Sequence, residues 1–169
     1  GALAEWRPLA EQGDTWAQYV LGMLFRRGAG VAEDPAEAAR LFGLSAEQGF
    51  APAQFELGIH YRLGLGVTED HVEAARWFRL AAAQGDVEAI WRLGLLYEAG
   101  RGVTRDPGRA FELVEKSAQQ RLPQAQYRLA RHYLDGDQVE QNETLALFWI
   151  QSAADQGHIQ ARDHLERLR

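Results

Sequence analysis

Cysteine is absent from all 169 residues, so no disulfide framework can form and thiol usage does not reveal the redox compartment. Lysine is nearly absent as well: Lys116 stands alone against seventeen arginines, a bias that fits a GC-rich bacterial source. There is no cluster of basic residues, and the net charge is −6. Phosphate binding needs a concentrated positive surface, which argues against nucleic acid as a partner. Long apolar runs are missing too. None approaches the roughly 18–20 residues of a membrane span, and Glu88, Arg92 and Glu98 interrupt the most apolar stretch, so no membrane insertion is expected. The chain opens on Gly1 without an initiator methionine or a signal-peptide pattern, and the parent protein is expected to begin upstream.

What is present is regular. Apolar residues make up 46% and charged residues 25%, the composition of a soluble folded chain and not of a disordered one. Gly13, Gly49, Gly85 and Gly157 lie on one 36-residue grid that only Arg121 breaks. Gly28, Gly64, Gly100 and Gly136 lie on a second, and Ala17, Ala53, Ala89, Ala125 and Ala161 on a third. Self-similarity at this period marks a solenoid, in which each unit buries its apolar face against its neighbours. Such an array offers an extended surface rather than an enclosed pocket, which points to binding and away from catalysis. The expected organisation is a single array: a partial repeat over 1–13, full repeats over 14–49, 50–85, 86–121 and 122–157, and a capping helix over 158–169.

One repeat shows why helices form. Asp14 is placed to cap a first helix, helix A, which carries Ala17, Leu21, Met23, Leu24 and Phe25 and ends at Gly28. Asp34-Pro35 then starts helix B, with aspartate as cap and proline at the first helical position. Glu37, three residues after Asp34, is expected to close a capping box. Helix B runs through Ala38, Leu41, Phe42, Ser45 and Ala46 to Gly49. The caps recur as Asp70, Asp106 and Asn142. Small residues at Gly22, Gly58, Gly94 and Ala130 face bulky ones at Phe42, Phe78, Val114 and Ile150. A mid-helix glycine costs roughly 1 kcal/mol against alanine, so its recurrence predicts a neighbouring helix backbone packed closely there. Interlocking small and large residues imply antiparallel helix pairs, hence an all-α, right-handed α-solenoid. Helices are expected near 2–12, 15–27, 35–48, 51–63, 71–84, 87–99, 107–120, 123–135, 143–156 and 159–168. Pro8 predicts a kinked or shortened first helix. Arg121, a non-glycine residue in a left-handed position, marks the junction where repeat geometry is expected to deviate.

Residues 51–85 read APAQFELGIHYRLGLGVTEDHVEAARWFRLAAAQG, and this pattern resembles the unit of the Sel-one-like repeat family, 36-residue relatives of tetratricopeptide repeats. The resemblance covers practically the whole chain. Repeat four departs from it most, with Asp137-Gln138 before Val139 and Asn142 in the cap. The resemblance implies a protein-interaction adaptor or scaffold, without cofactor, whose partner is a protein or peptide. Residues 3–14 resemble the first-repeat end of exported bacterial members, which favours the periplasm or cell envelope over the cytoplasm.

The resemblance also implies that helix A lines a concave face. The inward residues would be Trp16, Tyr19, Met23, Arg26 and Arg27 in repeat one, and Phe55, Ile59, Arg62 and Leu63 in repeat two. Glu88, Trp91, Leu95 and Glu98 follow in repeat three, then Gln124, Tyr127, Arg131 and Leu134 in repeat four. The aromatic column Tyr19, Phe55, Trp91 and Tyr127 reads either as packing between A helices or as a ladder that grips a peptide. Trp16, which the family pattern does not demand, reads as a contact residue or as packing beneath the first helix. Arg26, Arg27 and Arg62 crowd one half of the face, while Glu98 and Asp135 stand towards the other end. Guanidinium forks suit an acidic or C-terminal peptide segment; the plainer alternative is a solvated rim.

Signs of chemistry are few. His60, His71, His132, His158 and His164 have no spaced carboxylate or thiolate to make a metal set and read as surface or packing histidines. The glycine pairs at 28–30 and 64–66 end helices, and no G-K-[ST] follows. Ser45, Ser117 and Ser152 carry no nucleophile signature. An enzyme is not expected. Two further readings stay open: a cell-wall glycan or peptidoglycan binder that stacks sugars on Trp16 and Trp91, and self-association through an uncovered N-terminal strip of Leu3, Trp6 and Leu9.

Overall fold

The computed structural model describes residues 2–167. Gly1, the expected last helical residue 168 and Arg169 lie outside the described residues. Ten helices and no strand occur among them: α1 (Ala2–Glu11), α2 (Thr15–Arg27), α3 (Pro35–Glu47), α4 (Ala51–Leu63), α5 (His71–Ala83), α6 (Val87–Ala99), α7 (Pro107–Gln119), α8 (Pro123–Asp135), α9 (Glu143–Asp155) and α10 (Ile159–Arg167). The fold is an all-α repeat fold of helix pairs. Helices α3, α5, α7 and α9 stop one residue short of expectation. Gln48, Gln84, Gln120 and Gln156 leave the helix there, and each turns its N–H to a carbonyl of the last turn. Pro8 lies inside α1, which is ten residues long against thirteen for α2 to α9.

Local chemistry explains the boundaries. Asp14 Oδ1 accepts from the Ala17 N–H at 2.7 Å, and Asp34 Oδ1 accepts from Ala36 and Glu37. The expected capping box does not close. The Asp34 N–H already donates to the Phe25 carbonyl at 3.0 Å, so Glu37 has no orphan donor to reach. Its carboxylate instead receives two bonds from Arg40, at 2.7 and 2.8 Å. The same return stitch joins Asp70 to Tyr61, Asp106 to Tyr97 and Asn142 to Tyr133. Arg121 departs from the equivalent glycines in its backbone torsion but not in its hydrogen bond. Its N–H bonds the Ala118 carbonyl at 2.9 Å, as Gly49 bonds Ala46 and Gly157 bonds Ala154. The junction keeps its pattern, and the arginine takes a left-handed φ of 66° where the glycines sit at 88–90°.

Contacts divide the described chain into two compact units. The first runs to Ala89 and includes Arg101–Val103; the second holds Ile90–Gly100 and continues from Thr104. In the first, one core joins Ala10, Ala17, Leu21 and Leu41, with Leu3, Trp6, Leu24 and Phe25 packed against it. Leu3 and Trp6 are therefore half-buried, and of the strip expected to be uncovered only Leu9 is exposed, at 42%. A further core joins Ala38, Phe42, Ala46, Ala53, Leu57 and Trp77. The close approach at the mid-helix glycines comes from side chains: a Cβ on Gly22 would stand 2.7 Å from Phe42, and one on Gly58 2.6 Å from Phe78. An aromatic edge, not a helix backbone, fills those two sites.

The second unit repeats the scheme with smaller partners. Gly94 meets Leu113 Cβ, the Ala110 carbonyl and Val114, while Ala130 shares a core with Ile150, Ala153, Ala154 and Ala161. Trp91, Val114, Ala118, Ala125 and Leu129 form another core. Buried glutamines also staple the pairs. Gln18 and Gln54 donate to the carbonyls of Ala10 and Ala46, and each accepts from the glutamine thirty residues on, Gln48 or Gln84, at 2.8 Å. Gln126 and Gln156 do the same in the second unit. On α10, Arg162, Asp163, Glu166 and Arg167 are exposed, as expected of a polar end. No helix among the described residues is long and apolar enough to cross a membrane.

Candidate functional site

Helical spacing puts Trp16, Tyr19, Met23 and Arg26/Arg27 on one face of α2. The same spacing aligns Phe55, Ile59 and Arg62/Leu63 on α4, and the Arg26–Glu56 ion pair links the two helices. Trp16 is 53% exposed, yet its ring rests on others: Phe50 lies edge-on at 5.7 Å and Tyr19 at 5.8 Å. Tyr19 in turn meets Phe50 at 5.3 Å and Phe42 at 5.9 Å. The cluster leaves the Trp16 ring open on supports, Tyr19 and Phe50, that are half-buried. Burial, and then the nearby Glu56 carboxylate, push the Tyr19 hydroxyl above its ordinary pKa, so it stays a neutral donor. Met23 packs on the core, Phe55 tilts against Phe78 at 5.8 Å, and Ile59 is half-buried.

The electrostatics differ from a plain arginine patch. Arg26 Nη1 donates to Glu56 Oε2 at 3.1 Å, and Glu56 is only 8% exposed. Burial drives the Glu56 carboxyl above the ordinary carboxylate value, against the pull of Arg26 and Arg27. Arg26 is thus half committed to an internal partner, and its Nε is buried without a bond. Arg27 and Leu63 stay exposed and Arg62 is half-buried. Arg27 is the exposed guanidinium of this face, and the charges of Glu56 and Asp86 both reach Tyr19. Glu56 was missed in the sequence reading. The signal for it is a charge relation across thirty residues: Arg26 pairs with Glu56, and the inverted pair Glu98 with Arg128 recurs in the second unit.

The second unit treats its expected site residues differently. Trp91 is 8% exposed and belongs to the core, with Leu95 packed beside it, so its ring is withdrawn from the surface. Glu98 is taken up by Arg128. Tyr127 lies against His158 at 5.0 Å and His164 at 6.2 Å. Arg131 is exposed and pairs with Asp135 at 3.5 Å. Gln124 is exposed and Leu134 half-buried; Glu88, which belongs to the first unit, is half-buried as well. The aromatic column is therefore mostly packing, and among the expected contact residues the open aromatic is Trp16.

His60 sits behind the α2–α4 face and is fully buried. Its Nδ1 lies 2.7 Å from the Leu65 carbonyl, which can only accept, so Nδ1 carries the proton. Nε2 is buried without a partner. Burial chiefly, with the Arg26 charge adding to it, holds the imidazole below its ordinary pKa despite the Leu65 bond. The unfolded chain then binds a proton that the folded one refuses. Stability from this site is complete above about pH 6.5 and falls as pH drops from there towards the folded value. Glu56, raised by burial, acts in the opposite sense above its unfolded value, so the difference between two variants isolates the histidine. We expect His60→Leu, which copies Leu24 and Leu96 at the same repeat position, to flatten urea-measured stability between pH 7 and 5. The wild type should change by up to about 1.4 kcal/mol per pH unit more than the variant. Parallel curves would refute it.

The Sel1 repeat family model matches residues 17–50, 51–86, 87–122 and 123–158. Among solved structures, a protective antigen of uropathogenic Escherichia coli displaying an SLR fold is 32% identical, with a TM-score of 0.90 over 96% of this chain and 35% of its own. A Sel1 repeat protein from Oxalobacter formigenes is 33% identical, with a TM-score of 0.87 over 92% of this chain and 62% of its own. An immunity protein from Pseudomonas aeruginosa is 25% identical, with a TM-score of 0.59 over 92% and 58%. The chain thus spans about a third to three fifths of the length of these relatives. No curated protein matches it significantly. Sel1 repeat proteins generally mediate protein–protein interaction on a generally non-catalytic scaffold. Four matched repeats, the helix pairs and relatives above 30% identity lead to one conclusion: the chain belongs to the Sel1 repeat family.

Proposed function

We propose that this chain is a non-enzymatic interaction module that takes a peptide, or a segment of a partner domain, across the face shared by α2 and α4. Trp16 carries the reading: a large aromatic, 53% exposed and braced by Phe50 and Tyr19, on the same helix face as Arg26 and Arg27. A rigid aromatic loses little conformational entropy on contact, and burying it is favourable. An acidic residue or a free C-terminal carboxylate would be received by Arg27, beside the partly committed Arg26 and near Arg62. Met23 and Ile59 supply apolar contact between the two anchors.

A glycan reading is less well supported. Stacking on a sugar chain calls for several open aromatic planes, and Trp91 is 8% exposed. Acidic and C-terminal peptides screened against the protein should yield a binder whose affinity falls as ionic strength rises. Trp16→Ala and Arg27→Glu should each weaken that binder at least tenfold. Undiminished affinity in both variants would reject the α2–α4 face.

A further inference from the structure

We propose that the outer face of α9 is a second docking surface, for a cationic amphipathic segment of a partner protein, separate from the α2–α4 face. The first three B helices close their solvent side with an ion pair three residues apart: Glu37–Arg40 at 2.7 Å, Glu73–Arg76 at 3.0 Å and Arg109–Glu112 at 2.7 Å. The 36-residue grid places Leu145 and Phe148 at these two positions in α9. They are 39% and 58% exposed. At the Phe148 position Arg40, Arg76 and Glu112 keep 55–63% of their side chains open, while at the Leu145 position Arg109 keeps 55% and Glu37 and Glu73 31% and 34%. The Phe148 position therefore faces water even where the array continues beyond it, and helix packing does not account for an aromatic ring there. Leu147 is a different case: its equivalents Ala39 and Ala75 are buried at 3% and 1%, so its exposure is not used.

The surroundings define the occupant. Helix α9 carries no lysine or arginine, and Glu143 and Asp155 stand exposed at its two ends. Asp137 and Glu140, also exposed, precede it in the loop. The Phe148 ring lies edge-on to Trp149 at 5.1 Å. An apolar pair at helical spacing between carboxylates matches a partner helix whose leucine-like residues are flanked by lysine or arginine.

The probe is an amphipathic helical peptide of leucine and lysine, with a leucine–glutamate peptide as control. We expect the cationic peptide to bind and the acidic one to fail. Leu145→Glu with Phe148→Arg restores the charge pair of repeats one and two without changing net charge, and it should weaken binding at least tenfold. Its thermal midpoint should equal or exceed that of the wild type, since an exposed apolar pair is replaced by a solvated ion pair. Phe148→Ala should give an intermediate loss, and Trp16→Ala none, which keeps this surface distinguishable from the α2–α4 face. Equal binding by the double variant, or by the acidic peptide, overturns the proposal. A wild-type dimer that the double variant lacks would assign the face to a second copy and overturn it as well.

Discussion

Gly102→Ala should cost roughly 2–5 kcal/mol of folding stability, and Gly30→Ala, at the same place in the repeat, only ~1–2 kcal/mol. Both glycines have left-handed backbones, φ 67° and 78°, so an alanine at either position carries the strain of that conformation. They differ in what surrounds them. A Cβ on Gly102 would overlap the His71 carbonyl oxygen, a backbone atom at the start of α5 that cannot turn aside. A Cβ on Gly30 meets nothing within 4 Å. The fourth loop carries Gln138 at this point, exposed and also left-handed at φ 66°. Urea unfolding followed by circular dichroism measures both variants. Equal losses would mean that the contact at His71 contributes nothing.

The second prediction concerns a sign. Phe78 is fully buried, and its removal as Phe78→Ala should cost ~3–5 kcal/mol. Gly58→Ala in the wild type should cost about 1–3 kcal/mol, because the new methyl would meet the Phe78 ring at 2.6 Å. In the Phe78→Ala background the same change should stabilise, by up to about 1 kcal/mol, since alanine is the better helix former once the ring is gone. Reversal of sign is a stringent form of coupling. Repeat four carries the natural counterpart, Ala130 with Ile150 in one core. Additive effects would dissolve the link between the two columns. Because the chain folds as repeats, stability should be read with a second probe to check that unfolding is cooperative.

Several features of the site are legible in the sequence alone. Trp16 stands out because the repeat pattern does not require it, and in the structure it is 53% exposed. The recurrence of Gly22 and Gly58 opposite Phe42 and Phe78 announced tight packing, although not that a ring edge does the filling. Other features were not legible. Nothing in the spacing of Glu37 says that Arg40 will hold it, because the competing use of the Asp34 N–H by Phe25 lies nine residues upstream. Glu56 is unremarkable alone and acquires meaning only beside Arg26. Trp91 and Tyr19 share a column but not a fate, since one is closed into a core and the other supports an open ring.

The division follows the range of the forces. Helix starts and stops depend on hydrogen bonds spanning three to five residues, so aspartate, proline and glycine at fixed offsets were enough to place every helix, and the 36-residue period was enough for the family. Burial depends on side chains from other helices, and the Arg26–Glu56 and Glu98–Arg128 pairs join groups thirty residues apart. Which arginine is committed, which tryptophan is covered, and which histidine refuses a proton came from the packing of one helix pair on the next. Leu145 and Phe148 needed both: the period shows what they replace, and the fold shows that they face water.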